Sequence, residues 1–245
     1  MTNLSRRLLS EWRANARRWQ KAVELWHPKG VEVFNPGIYA CDLYARFLAC
    51  YPPGPHPIIT LGLNPGPFGM AQTGIPFTDC RTAAAILDIK LPIPGRAPPA
   101  LIRRLSKPGG RWRGYYERSS IGIYRLLRLA WGDLGAAYRN WTVTNTCPLL
   151  FLKAGDYKNM TPADGPLRRL EGFQRLRVTA LERFCALLDP RGIVCLGKDV
   201  SAAHGEAAER LVGARRVIHY PHPARAVPAA WAEGLRLELA RRKLI

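Results

Sequence analysis

The stretch PIITLGLNPG, residues 57–66, decides how this chain is read. Ile58, Ile59, Thr60 and Leu61 form a short apolar run rich in β-branched side chains, which ends in Asn64-Pro65-Gly66. Such a run, closed by turn residues, predicts a buried strand feeding a loop. Three further runs have the same character: NWTVTNTCPLL (140–150), RGIVCLG (191–197) and RRVIHYPHP (215–223). Helical patterns lie around and between them. Leu8, Leu9, Trp12, Trp19, Val23, Leu25 and Trp26 recur at helical spacing from Leu4 to Trp26, before His27-Pro28. Further helices are predicted over 39–50, 166–188, 200–212 and 227–242. Another covers 120–135, with Ile121, Tyr124, Leu127, Leu129 and Trp131 among its apolar positions. Short, wholly apolar strands alternating with helices predict an α/β fold on a parallel sheet covered on both faces. No repeat or linker divides the chain, so residues 1–245 are expected to form one domain.

Chemistry in such folds gathers at the carboxyl ends of the strands. Those ends carry NPGPFGMAQTG, NTCPLLF, GKD and HYPHPAR. Composition narrows the partner. The chain has 37 Lys+Arg against 18 Asp+Glu, a formal net charge of +19, with 47% hydrophobic residues. That is too apolar for a disordered basic tail and basic enough to want a polyanion, nucleic acid first. Between Arg81 and Arg128 the only acids are Asp88 and Glu117, so the excess is concentrated there. No apolar run approaches the roughly 18 residues of a membrane span, and the Arg-rich start does not resemble a secretory signal. Cys41, Cys50, Cys80, Cys147, Cys185 and Cys195 contain no C-x-x-C pair, which argues against a metal centre and for free thiols in a reducing, intracellular compartment. No cofactor is implied.

Three stretches carry a family resemblance. GLNPGPFGMAQTGIPF (62–77), NTCPLLFLKAGDYKNMTP (145–162) and HPAR (222–225) resemble, in order, the active-site motifs of the single-strand-selective monofunctional uracil-DNA glycosylases. The resemblance implies a three-layer α/β/α sandwich on a four-stranded parallel sheet. It also implies hydrolysis of the N-glycosidic bond of uracil and 5-substituted uracils in DNA, without strand cleavage. The partner would be DNA, single- or double-stranded, the protein a monomer, and the compartment intracellular: the cytoplasm or nucleoid of a bacterium, or the nucleus of a eukaryote.

The resemblance also assigns roles. Asn64 would position the attacking water; an amide has no useful pKa, so catalysis would rest on stabilising the departing base. Gly66 would leave room for a water or a 5-substituent, with Phe68, Met70, Gln72 and Thr73 on the same side. Phe77 would stack on the extruded base. Asn145 would read the imide edge, since an amide sets a donor beside an acceptor and mispairs with cytosine. His222 would donate to uracil O2, where negative charge develops. The family pattern His-Pro-Ser-Pro-Arg is altered here to HYPHPAR. His219 is therefore an alternative, although the Pro after His222 favours the latter. Arg225 would enter the DNA. The loops LPIPGRAPPALIRR and SKPGGRWRGYY, with Lys107, Arg111 and Arg113, would grip phosphates. Action on xanthine or hypoxanthine, or DNA binding without catalysis, are the alternative readings.

Overall fold

The computed structural model of the chain describes residues 1–26, 29–92, 94–106, 117–155, 159–162, 167 and 171–245. Its centre is a parallel sheet of four strands. In chain order these four are β2 (Ile58–Gly62), β3 (Trp141–Asn145), β6 (Gly192–Leu196) and β7 (Val217–Tyr220). Their spatial order is β3-β2-β6-β7, with Gly62 opposite Asn145 and Leu61 opposite Cys195. Every residue of β2, β3 and β6 is buried. Successive side chains point to opposite faces, so both faces are covered, as the continuous apolar runs require.

The covering helices form two groups. On one side α7 (Arg118–Trp131) packs against α11 (Pro228–Arg241). The other group runs from α1 (Asn3–Trp26) to α9 (Glu171–Leu188) and on to α10 (Lys198–Val212), which lies on β6 and β7. Helix α1 buries Leu8, Leu9, Trp12, Ala16, Trp19 and Val23, the stripe that its sequence predicts. Leu25 departs from the pattern and is exposed at the helix end. On α7 the buried large apolar positions are Ile123, Tyr124, Leu126 and Leu127, while Ile121 and Leu129 face solvent. The helix expected over 120–135 instead begins at Arg118 and stops at Trp131. Gly132 then takes φ 78°, and Asp133 caps a separate helix, α8 (Leu134–Asn140), through the Ala136 N–H.

One feature has no counterpart in the strand pattern. β1 (Val31–Phe34), β4 (Leu150–Lys153) and β5 (Asn159–Met160) form a small antiparallel sheet in the order β1-β4-β5. β4 begins at Leu150, where the run read as one strand ends, and Pro148 separates it from β3. Among the described residues no helix is long and apolar enough to cross a membrane.

Candidate active site

The loops after β2 and β6 leave the sheet on either side of the point where strand order reverses, and such a point opens a crevice. Here it is a cavity of about 440 Å³. Leu63, Asn64, Gly66 and Met70 line it from the β2 loop, Asn145 from the end of β3, Gly197 and Lys198 from the end of β6, and His222 and Arg225 from the segment after β7. Phe77, Glu117, Asn159 and Asp199 are among the other residues of the wall.

Asn64 is held by its amide nitrogen. Nδ2 lies 3.3 Å from Leu149 O, 3.2 Å from Met160 O and 3.3 Å from Asn159 Oδ1. With its donors turned to the small sheet, Oδ1 is left as an acceptor for a water in the cavity. Asn159 in turn donates to Pro65 O, clamping the loop that carries Asn64. The chain motif contains Asn159, but only the β4–β5 pairing shows that it supports Asn64.

Asn145 is 2% exposed. Its Nδ2 donates to Met70 Sδ at 3.0 Å, and its buried Oδ1 has no partner. An orphaned buried acceptor beside a donor is an arrangement waiting for a polar edge. Phe77 adopts φ 53°, an uncommon conformation for a bulky residue, and its ring centre lies 5.9 Å from that of His222. Gly62 permits both side chains: a Cβ there would lie 2.6 Å from the Phe77 ring and closer still to Asn145 Oδ1.

His222 accepts the Ala224 N–H at Nδ1, 3.3 Å away, which leaves the ring proton on Nε2 as a donor. Burial, and next the nearby Arg225, lower its pKa to about 4, so the ring is neutral at physiological pH. Trp231 Nε1 fixes the segment by donating to Pro221 O at 2.7 Å. His219, by contrast, lies against Gly205 on α10 and pairs with Glu209 at 3.7 Å. Of the two histidines, His222 lines the cavity.

Several expectations are corrected. Phe68 does not line the cavity; it packs against the cluster of Ala71, Ala97, Leu101, Leu105, Leu150 and Leu152. Gln72 and Thr73 are wholly buried and brace the loop, through Pro67 O and Thr78 O respectively. Nor is the space beside Gly66 empty. A Cβ on Gly66 would lie 3.1 Å from Glu117 Cδ and closer to its Oε1. Glu117, read in the sequence only as one of two acids in a basic stretch, reaches the cavity because Asp79 accepts its N–H at 3.1 Å. Its Oε2 is sealed from solvent without a partner. Burial first pushes its carboxyl up to about 7, Ser119 opposing and Asp79 adding to the shift.

Of the cations expected at the DNA, Arg225 is exposed at the cavity rim, where the structure adds Lys198, which the sequence reading did not single out. Arg96 and Arg104 are instead tied internally, to Asp42 at 2.8 Å and Glu32 at 2.9 Å. Lys107, Arg111 and Arg113 lie outside the described residues.

Residues 49–234 match the uracil DNA glycosylase superfamily. The chain is 33% identical over 226 residues to a single-strand selective monofunctional uracil-DNA glycosylase of Rattus norvegicus, covering 91% of this chain and 78% of that one. It is 34% identical over 194 residues to the protein of the same description from Mus musculus, covering 78% and 66%. The crystal structure of wild-type Pedobacter heparinus SMUG2 superposes with a TM-score of 0.67 at 20% identity, over 88% of this chain and 90% of that one, a likeness of fold.

Proposed function

The chain belongs to the uracil-DNA glycosylase superfamily, and on that premise we propose that it hydrolyses the N-glycosidic bond of uracil, and of 5-substituted uracils such as 5-hydroxymethyluracil, in DNA. The product is an abasic site, and no strand cleavage follows. The observation that carries this reading is the pair of oriented, unspent polar groups facing one cavity: Asn145 Oδ1 without a partner, and His222 with Nδ1 engaged and Nε2–H free of that bond.

A planar imide offers an N–H between two carbonyls. Asn145 Oδ1 accepts from N3–H, while Nδ2 turns from the Met70 sulfur to O4. His222 Nε2–H donates to O2. As the bond to deoxyribose stretches, charge accumulates on the base oxygens, and fixed donors bind that state better than the ground state. A neutral imidazole suits this role, since it needs no counter-ion in a largely buried site. Phe77 covers the base face, contributing about 1–3 kcal/mol toward extrusion. Asn64 Oδ1 orients the water that attacks the sugar. Arg225 and Lys198 at the rim meet the backbone phosphates. The exposure of Lys198 suits such a contact better than it suits amine nucleophilic chemistry.

The test is incubation with a single-stranded oligonucleotide containing one uracil, followed by alkali. Cleavage at that position after alkali, and not before it, is the expected result. An intact strand after alkali would refute the proposal.

A further inference from the structure

The two polar groups that meet the base come from opposite edges of the parallel sheet. In the order β3-β2-β6-β7, Asn145 ends one edge strand and His222 follows the other. An edge strand is held from one side only, and among the described residues Gly62 of β2 is the strand partner of Asn145. Beyond that register the loops after β2 and β6 part to open the cavity, so the ladder no longer fixes the span from Asn145 to His222. The His222 side is well tied. Gly197 N–H, at the end of β6, donates to Tyr220 O at 2.8 Å, and α10 packs on both β6 and β7. Gly205 of α10 sits against the His219 ring of β7, where a Cβ would lie 3.0 Å from Cε1.

The Asn145 side is tied to the same helix by the residue before Gly205. His204 Nε2 lies 2.8 Å from the hydroxyl of Thr146, the residue after Asn145. Asn15 of α1 holds the same residue from the other direction, donating to Thr146 O at 3.2 Å. We infer that His204 is a positioning residue: through Thr146 it braces the free end of β3 to α10, and so sets the separation of Asn145 and His222 to the width of a planar imide. His204 lines no part of the cavity and acts through Asn145. The role rests on the glycosylase reading above.

Stability alone does not account for a histidine here. His204 is 1% exposed, and its Nδ1 is sealed from solvent without a partner. Burial, and next the nearby Arg177, push its pKa down to about 3, so the ring is neutral and no ion pair repays its desolvation. Two buried polar groups bonded to each other are worth little more than two apolar groups of the same shape. What the bonded pair adds is a fixed distance and direction, which apolar contact does not supply. Asn145 needs that from its backbone, because its own side chain is held only by the Met70 sulfur.

The test is single-turnover uracil release at saturating enzyme by the double variant His204→Leu with Thr146→Val. Replacing both partners leaves neither polar group orphaned, so the fold is kept while the brace is lost. Release is expected to slow by about 10- to 100-fold, and release within about threefold of wild type would overturn the role. The same pair of substitutions is then made in Asn145→Ala. With no amide left to position, it is expected to cost less than about threefold further. A loss that persists there in full would show a route other than Asn145 and would also overturn the role. Thr146→Val alone removes the same bond with the smallest change of shape, and is expected to slow release by at least about tenfold. Unchanged release by that variant would likewise overturn the role. The wild-type arm separates the two claims: no release of uracil refutes the glycosylase reading and this role with it, whereas release by wild type and variants alike refutes this role alone.

Discussion

Gly62→Ala asks whether the site depends on sub-ångström placement. Gly62 is the last residue of β2, is buried, and stands opposite Asn145 in register. An added Cβ would lie 2.6 and 2.7 Å from two atoms of the Phe77 ring, about 0.7–0.8 Å short of an ordinary contact of 3.4 Å, and closer than that to Asn145 Oδ1. Neither neighbour yields easily. Phe77 sits at φ 53° between buried Ile75 and Thr78, and Asn145 is fixed by the sheet on one side and Met70 on the other. Relief therefore has to come from moving the stacking ring and the imide-reading amide. Overpacking of this kind costs about 1–3 kcal/mol of stability. Displacing a positioning group by about 1 Å costs on the order of 100-fold in rate. The assay is single-turnover uracil release at saturating enzyme, beside urea denaturation of the same sample. Gly62→Ala should remain folded at 25 °C, lose about 1–3 kcal/mol, and release uracil about 100-fold more slowly. A variant that is destabilised as described yet releases uracil within threefold of wild type would refute the dependence of Asn145 and Phe77 on this glycine.

Other consequences can be measured independently. Asn145→Asp replaces a donor–acceptor pair with acceptors alone, which sets a carboxylate oxygen against uracil O4, so uracil release should fall by at least about 100-fold; retained uracil activity would contradict the assigned reading of the imide edge. The His222 ring should titrate near 4 in a nitrogen-15 NMR experiment, and a midpoint near 6.5 would refute the neutral-donor assignment. Because folding lowers that pKa, the His222 contribution to stability is whole above about 6.5 and is lost as pH falls toward 4, as a denaturation series comparing wild type with His222→Gln would reveal. Arg225→Ala combined with Lys198→Ala should lower the salt slope of single-strand binding by about 0.7 for each phosphate contact removed, and an unchanged slope would place the phosphate track elsewhere.

Much of the scaffold can be read directly from residue order. The strands at Ile58–Gly62, Trp141–Asn145, Gly192–Leu196 and Val217–Tyr220 stand where the apolar runs predict them, and the buried stripe of α1 follows its helical spacing. Periodicity records which face of an element meets apolar surroundings, so such features survive reading one segment at a time. The fate of Ile121 and Leu129 marks the limit of that rule. Both are apolar and both face solvent, because α7 buries only the face that meets α11 and the sheet.

The sequence by itself determined the alternation of strands and helices, the strand ends at which polar residues collect, and the resemblance of three ordered motifs to one glycosylase family. Tertiary structure alone decided which of two neighbouring histidines faces the cavity, which nitrogen of His222 bears the proton, and that Asn159 holds Asn64. It alone brought Glu117 against Gly66, turning a presumed vacancy into a polar wall. The physical reason is the same each time. Local pattern encodes propensity and face, whereas a hydrogen bond between residues 64 and 159, or a carboxyl from 117 resting on a loop at 66–69, is set by how finished elements pack.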